Sequence, residues 1–577
     1  MKKIIVILIL ISFSGISQEV SFFLKTEQNG TFGLRGNTAP LTWDNSLPMK
    51  KTKQGYTLTI DFGLANISTV EYKYVKDDKE TLWEPIDGNR EILNTESKED
   101  TWGKKAKIDL AKLPKVSKEG LFEDYDIVER VFRKLHPGTF RYQDELGFQQ
   151  NLKTLKSAFE KNQNYAEAYL ALTKFAASIK CGHTHTGVYN QSGIVHQIIL
   201  EQEDKLPLMY SIIDGKMIIT ANVSEHPELV KGAEITALNG VESSEVIQRL
   251  LPYISADGNS DAKRIWSMQL MADPGYQMAE AYLPLLFPIT NGDYEITFKD
   301  LNGRKKIRRL KAIGREERNR RLYELIPDYP KKAEDLWEAK MISSQLAYLK
   351  LGTFAVFNME MNWKAFIKNA FEEFDNKGAK SLIIDIRGNE GGMDEVAAEV
   401  ASYLIEEDLK VDSFEGRTVY QKVEDNLKPY FKTWDKSIYD ISKITKPSEN
   451  GFYTYRFAPK YYRLSPKKNT FSGEAFLLTD AANSSATFYM ARFFKMSGIA
   501  KIVGQTTGGS QKGINGGNYL FLTLPNSKVE IDIPVTGNFN DDAPDEGISP
   551  DIFIHPNADD IAKGIDSELA FMINYLK

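Results

Sequence analysis

Three short stretches hold the residue types that acyl-transfer chemistry needs. The first is Ala475-Phe-Leu-Leu-Thr-Asp-Ala-Ala-Asn-Ser-Ser-Ala-Thr487. An apolar run, a turn of small polar residues and the helical pattern Phe488–Met496 place the adjacent hydroxyls of Ser484 and Ser485 at a helix N-terminus. There an oxygen is exposed and backbone N–H groups face whatever it attacks. The bland alternative is that Asn483 or Ser484 caps the helix. Gly498 suits the helix end.

The second stretch is Cys181-Gly-His-Thr-His-Thr-Gly187, with two of the chain's six histidines two residues apart. A His-x-His pair can ligate zinc, but no carboxylate or cysteine cluster at ligand spacing accompanies it. The pair can also be structural and solvated, or one imidazole can act as general base for a distant serine. The third stretch, Arg387-Gly-Asn-Glu-Gly-Gly-Met393, follows the apolar run Ser381–Ile386. Glycines at the carboxyl end of a buried strand let backbone N–H groups turn toward a ligand. No Gly-Lys-Ser/Thr ending follows, which argues against a nucleotide loop.

The elements that must position these residues alternate in character along the chain. Residues 20–110 carry β-branched and aromatic runs (Val20–Leu24, Tyr56–Asp61, Val70–Val75) separated by Asn29-Gly30, Gly36-Asn37 and Asp87-Gly88 turns, the pattern of a small antiparallel sandwich. Helical spacing follows at Tyr125–Leu135, Leu152–Phe159 and Tyr165–Lys180, the last running into the histidine stretch, with Val188-Tyr189 reading as strand. From 195 to 312 the pattern returns to strands, with a helix at Ser244–Leu251 and an insertion at 255–290 of no legible role. Beyond a charged connector at 313–340, strands and helices alternate as in a layered β/α core. Residues 406–470, rich in Lys and Tyr, interrupt it as a potential flap.

At 577 residues the chain is expected to hold three to five domains. A net charge of −6 without a long basic run argues against nucleic acid as a partner. Met1-Lys-Lys, the apolar run Ile4–Ile11 and Gly15-Ile-Ser17 read as a signal peptide cleaved before Gln18, so export to the periplasm or medium is expected. The alternative is an uncleaved anchor. Cys181 is the only cysteine, which excludes an internal disulfide, and no later segment reads as membrane-spanning.

Two resemblances follow from these motifs. Gly33-Leu-Arg-Gly-Asn, Leu41-Thr-Trp-Asp44, Glu71-Tyr-Lys-Tyr74 and Leu82-Trp-Glu with Gly88-Asn-Arg90 resemble the starch-binding type of carbohydrate module. That resemblance implies a glycan platform at Trp43, Lys73 and Trp83, where a flat indole face covers a sugar ring; packing is the alternative role for the tryptophans. Leu382–Gly392, Asp480–Thr487, Gly504-Gln-Thr-Thr-Gly-Gly509 and Glu546-Gly-Ile-Ser-Pro-Asp551 together resemble the tail-specific, carboxyl-terminal-processing serine peptidases over roughly residues 120–577. Leu229–Val241, a glycine turn before a strand ending in Asn-Gly, resembles the PDZ domain, which binds an extended peptide at a sheet edge.

The peptidase resemblance implies Ser485 as nucleophile and Ala486 with Gly391 or Gly392 as oxyanion donors. The Ser/Lys members carry a lysine where ungapped alignment puts Ser510; Lys512 lies two residues on. Similarity to the tricorn-core branch selects His183 as base, with His185 and Lys512 as rivals, and a carboxylate from the segment before Gly547, taken as Glu546. Cys181 stands where an acidic residue is common and Glu390 where glycine is common. The expected architecture is multidomain α+β: signal peptide 1–17, β-sandwich 18–112, helical segment 118–190, PDZ-like domain 195–312 and peptidase core 335–577. The expected function is an exported peptidase acting on peptides or proteins without metal or cofactor. A degenerate peptide- or glycan-binding protein and an esterase remain as alternatives.

Overall fold

The computed structural model describes residues 19–63, 70–86, 89–92, 98–104, 113–191, 193–271, 275–412, 415–458 and 461–577. The expected signal peptide, and the Asp87-Gly88 turn, lie outside the described residues. No described helix is long and apolar enough to cross a membrane.

The described residues fall into two compact units. One lies within residues 1–113 and includes 193–197. Glu19–Lys25 pairs antiparallel with Gly55–Asp61 and parallel with Lys98–Thr101, while Phe32–Gly36 pairs antiparallel with Glu71–Asp77 in a second sheet. Every second residue of Glu19–Lys25 turns inward, as a half-buried strand requires. Phe22 meets Tyr72 edge-on at 4.9 Å, so the two sheets share one apolar core. Within it Arg90 is paired with Glu84 and Asp100, and Tyr72 and Tyr74 donate to the same Asp100 oxygen. A buried guanidinium is tolerated because each of these groups has partners.

The other unit, residues 114–191 and 198–577, holds the three chemical stretches. Its central sheet runs Trp337–Met341, Leu346–Leu351, Ser381–Asp385, Glu474–Thr479, Lys501–Gly504, Ile552–Phe553; all neighbours are parallel except the first pair. Ser381–Asp385 and Glu474–Thr479 are buried on both faces, which is why they read as continuous apolar runs. Helix Trp363–Asn376, capped by the Asn362 side chain, packs Ile367, Ala370, Phe371 and Phe374 against the sheet. Helix Ser485–Ser497 ends on Gly498 in the left-handed region. Both chemical loops of the core leave the carboxyl ends of adjacent parallel strands, where such sheets bind ligands.

Before the core, helices Lys118–Lys134, Glu145–Ala158 and Tyr165–Ser178 precede an antiparallel sheet ordered Leu208–Ile213, Lys216–Asn222, Glu234–Leu238, Asp293–Lys299, Lys305–Lys311. Two local expectations are corrected. Residues 188–190 form a turn rather than a strand, since Asn190 N–H bonds back to Gly187. His183 and His185 therefore sit in a loop, not on one face of a strand. The stretch 406–470 is not a free flap: Phe431–Lys432 pairs with Tyr519–Thr523, and Glu415–Thr418 joins Tyr453–Tyr455 to Gly537–Phe539. Its short strands need partners for their backbone groups and find them in the 519–539 hairpin region.

Candidate active site

The Asp480–Thr487 turn is latched to the glycine loop by polar side chains that sequence patterning treats as filler. Asn483, fully buried, donates from Nδ2 to the carbonyls of Ile386 (2.5 Å) and Asn389 (3.0 Å) and accepts from Asp480 N–H. Thr487 Oγ1 donates to Asn389 O at 2.9 Å. The Asp480 carboxylate accepts from Gly388 N–H at 3.1 Å and Ala482 N–H at 3.0 Å, one bond on each side of the gap. Burial pushes this carboxyl up to about 6, opposed by those N–H donors.

Ser485 opens its helix with φ +52°, a left-handed conformation that a serine adopts only under constraint. Its Oγ makes no hydrogen bond among the described residues. Ser484 is the N-cap by position, yet its Oγ donates to Glu390 O at 3.2 Å and does not cap the helix. Gly391 (φ +111°) lies so close that an added Cβ would be 2.7 Å from Ser485 Cβ; one on Gly392 would meet the Phe354 carbonyl carbon at 2.2 Å. The Gly391 N–H is already taken by Asn389 Oδ1 (2.9 Å). The N–H groups of Gly392 and Ala486 have no acceptor among the described residues.

The histidine side is assembled from loops. Helix Tyr165–Ser178, opened by the Asn164/Glu167 capping box, ends at Lys180 (φ +57°), and the chain then turns through Cys181-Gly-His-Thr. Thr184 is buried and its Oγ1 lies 2.6 Å from His136 Nε2. Gly138 N–H donates to His136 Nδ1, so Nε2 carries the proton and donates to Thr184. Burial pulls His136 down to about 3, keeping it neutral. Gly182 N–H donates to Asp257 Oδ1 (2.9 Å), and Ser255 Oγ donates to Thr184 O (2.8 Å).

His183 is held below its ordinary range by burial, against the pull of the Asp257 charge; its Nδ1 is buried without a hydrogen-bond partner. Asp257 is raised by burial and lowered by His183. His185 Nδ1 stands 3.5 Å from Asp532 Oδ2, an ion-pair distance without a formed hydrogen bond, and Asp532 accepts from Asn190. The Cys181 thiol, raised to about 11 by burial, accepts from Asn515 and is neutral at pH 7.

A cleft of about 470 Å³ brings His183, His185, Asp257, Lys263, Glu390 and Ser484 to one surface. His183 and Ser485 are not hydrogen-bonded to one another, a common state of unliganded sites. Glu546 is exposed, and its carboxylate has no hydrogen bond or ion pair among the described residues. Its neighbour Asp545 turns inward instead, accepting from Ser510 Oγ (2.9 Å) and from Asn259 N–H and Nδ2, next to Asp257. A Cβ on Gly258 would strike Asp545 Oδ1 at 1.8 Å. Lys512 contributes backbone bonds to Ser510 and Asn540 and does not line the cleft. Sequence reasoning missed Asp257, Lys263 and His136. The first two lie in the 255–290 insertion left without a role; His136 directly follows the helical pattern Tyr125–Leu135 and opens His-Pro-Gly.

In the N-terminal unit, Trp43 and Trp83 face each other with centroids 6.2 Å apart, and the Arg35 guanidinium lies 5.2 Å over Trp83, which is 38% exposed. Lys73 Nζ donates to Ile86 O (2.9 Å). No cluster of three metal-ligating side chains occurs among the described residues.

Residues 345–554 match Peptidase family S41. No curated protein sequence matches the chain. Among solved structures the chain resembles mature CPAF complexed with lactacystin (TM-score 0.55, 13% identity, 80% of this chain and 98% of that one). A serine-to-alanine CPAF mutant gives TM-score 0.57 at 14% identity, covering 79% and 96%. Mature CPAF gives 0.53 at 12%, also covering 79% and 96%. At these identities the likeness is one of fold. The matched span contains the glycine loop and Ser485 but neither His183 nor Asp257. The chain thus carries a Peptidase family S41 domain over residues 345–554 and is a serine peptidase.

Proposed function

We propose that the protein is an exported peptidase that cleaves peptide bonds through a Ser485 acyl-enzyme, with His183 as general base and Asp257 as its orienting carboxylate. One observation carries this reading: Ser485 is strained at φ +52° against Gly391 and directly follows Ser484, which lines one cleft together with His183. Strain of this kind costs roughly 1–3 kcal/mol and is kept where it aims a reacting atom.

His183, neutral at pH 7, takes the Ser485 proton as Oγ attacks the peptide carbonyl. The N–H groups of Gly392 and Ala486, neither with an acceptor among the described residues, receive the developing oxyanion. The Asp257 charge stabilises the imidazolium, which then protonates the leaving amine. Water, deprotonated by the same imidazole, releases the acid. Substrate binding closes the Ser485–His183 hydrogen bond. Asp257 replaces Glu546 in the constellation because only Asp257 is buried beside the imidazole.

Two finer readings extend this. The neighbouring indoles Trp43 and Trp83 support a glycan platform, in which both cations are held in place: Lys73 donates to Ile86 O, and Arg35, lying over Trp83, donates to Trp43 O and Ser46 Oγ. The strand order of the 208–311 sheet with helix Ser243–Leu250 supports a PDZ-like module. Its outer strand Leu208–Ile213 is already bridged by Leu270, so a peptide would have to displace this chain's own segment.

Fluorophosphonate labelling tests the central reading. Wild type is expected to label, and Ser485→Ala and His183→Ala to lose roughly 10⁴-fold or more in labelling and peptide turnover. His185→Ala and Lys512→Ala should stay within a few-fold. Unchanged labelling of Ser485→Ala sinks the assignment.

A further inference from the structure

Lys263 sits on helix Asp261–Ser267 and lines the cleft. Its side chain is only 8% exposed. Nζ donates to Ala482 O (3.0 Å), three residues before Ser485, and to Glu390 Oε1 (2.6 Å), and lies 4.5 Å over the Trp266 ring. A buried ammonium needs a counter-charge, since taking it out of water unpaired costs several kcal/mol. What is unusual is the partner. Glu390 is 55% exposed, so its carboxylate stays in contact with water while the cation does not. It comes from the glycine loop and has no other hydrogen bond or ion pair from its carboxylate among the described residues. Such a carboxylate can leave into solvent at little cost, provided another takes its place.

Room for the lysine stem is built in. A Cβ on Gly508 would stand 3.0 Å from Lys263 Cδ and 3.1 Å from its Cβ. The cleft beyond it is walled by Trp266, Met271 and Tyr276. An apolar trough ending in a buried cation beside the nucleophile turn fits a peptide that has an apolar side chain and a carboxylate close together.

Resting on the peptidase reading above, we propose that Lys263 reads a substrate carboxylate. Substrates are peptides with an Asp or Glu side chain, or the free C-terminal carboxylate, close to the scissile bond. In the empty cleft Glu390 stands in for that group, and the substrate displaces it. Side-chain and terminal carboxylates share this chemistry, and the assay distinguishes them.

A randomised decapeptide pool incubated with the full chain and analysed by mass spectrometry identifies the cleaved sequences. The best of them is then resynthesised with Glu→Gln and with an amidated C-terminus. Wild type is expected to prefer the carboxylate form about tenfold or more in kcat/KM. Loss of preference on Glu→Gln assigns the side chain, and loss on amidation assigns the terminus. Lys263→Met should bring the ratio close to one while fluorophosphonate labelling persists, and Lys263→Arg should retain a preference. Glu390→Gln should increase the preference, because the competing carboxylate is gone. An unchanged ratio in Lys263→Met overturns the proposal. So does loss of all labelling in that variant with an intact melting transition, which would make Lys263 a base instead. Absence of labelling and cleavage in wild type would count against the peptidase reading alone. Binding of the same pool to Ser485→Ala, before and after conversion of its carboxylates to amides, would still read the subsite; equal retention of the two pools refutes it.

Discussion

The two halves of the site are built on different plans. The half that holds the proposed nucleophile Ser485, the nucleophile half, hangs on adjacent parallel strands, Ser381–Asp385 and Glu474–Thr479, whose loops are stitched across a short gap by Asn483, Asp480 and Thr487. The half that holds the proposed base His183, the base half, has no strand beneath it. His183 rides a loop pinned by a helix end (His136), a distant insertion (Asp257) and, through Asn259, the segment before Gly547 (Asp545). The first half is placed by a sheet that folding must build anyway. The second is placed by single hydrogen bonds between residues dozens to hundreds apart in sequence. Disturbing one contact should therefore cost the base half more function per unit of stability than it costs the nucleophile half.

The largest expected effect tests which carboxylate completes the base half. Asp257→Asn should lower kcat by roughly 10²–10⁴-fold with little change in KM, because the imidazolium loses its counter-charge. Glu546→Gln should stay within about twofold, as an exposed side chain does. The converse result in paired kinetic assays would return the role to Glu546 and erase the contrast drawn here.

That contrast also governs what was legible in the sequence. The β/α core, the Ser485 turn and the glycine loop announce themselves because strand, turn and helix are contiguous and periodic. The helices read at Tyr125–Leu135, Leu152–Phe159 and Tyr165–Lys180 are found for the same reason, though the first two begin about two turns earlier, at Lys118 and Glu145, and the charged strand Lys305–Lys311 went unread. Asp257 and Lys263 were illegible because the roles proposed for them come from tertiary contact alone; their own segment has neither periodicity nor motif. Glu546 was the natural choice beside a glycine motif. Choosing between Asp545 and Glu546, or turning to Asp257, depends on which side chain points inward, and a loop has no period to tell that. The expected Val188-Tyr189 strand failed because β-branched and aromatic propensity yielded to a turn closed by Gly187.

A smaller effect separates the halves by acidity. His136 is about 3 in the folded protein, below its ordinary 6.5, so the unfolded chain takes up a proton that the folded one refuses. Its contribution to stability is complete above pH 6.5 and is lost as pH falls toward 3. By linkage, going from pH 7 to pH 5 should cost roughly 2 kcal/mol through this residue. His136→Gln should be less stable at pH 7, having lost the Thr184 contact, but should lose less on acidification. Chemical denaturation at the two pH values checks the difference in slope; equal slopes in wild type and variant would show that His136 does not anchor the base loop as a neutral imidazole.

The nucleophile half should respond in the opposite sense, and more weakly over the same range. Asp480 is raised to about 6 by burial, so here the folded protein holds a proton that the unfolded chain, titrating near 3.8, has already released. Stability from this group is therefore fully present below pH 3.8 and lost as pH rises through 6, of which roughly 1 kcal/mol falls between pH 5 and pH 7. The two residues oppose each other: acid weakens the His136 anchor of the base loop, while rising pH ionises the carboxyl that ties Gly388 to Ala482. Wild type should accordingly change less between pH 5 and 7 than His136 alone dictates. Asp480→Asn keeps an acceptor for one N–H but does not titrate, so its stability should fall more steeply on acidification than that of wild type, by about 1 kcal/mol. Because the Asp480 bonds span the glycine loop and the nucleophile turn, the same variant should lose little activity at pH 5, where the wild-type carboxyl is already largely protonated, and more of its difference should appear near pH 7. A variant whose stability runs parallel to wild type across that interval would mean that Asp480 is ionised throughout and that the nucleophile half carries no proton-dependent latch.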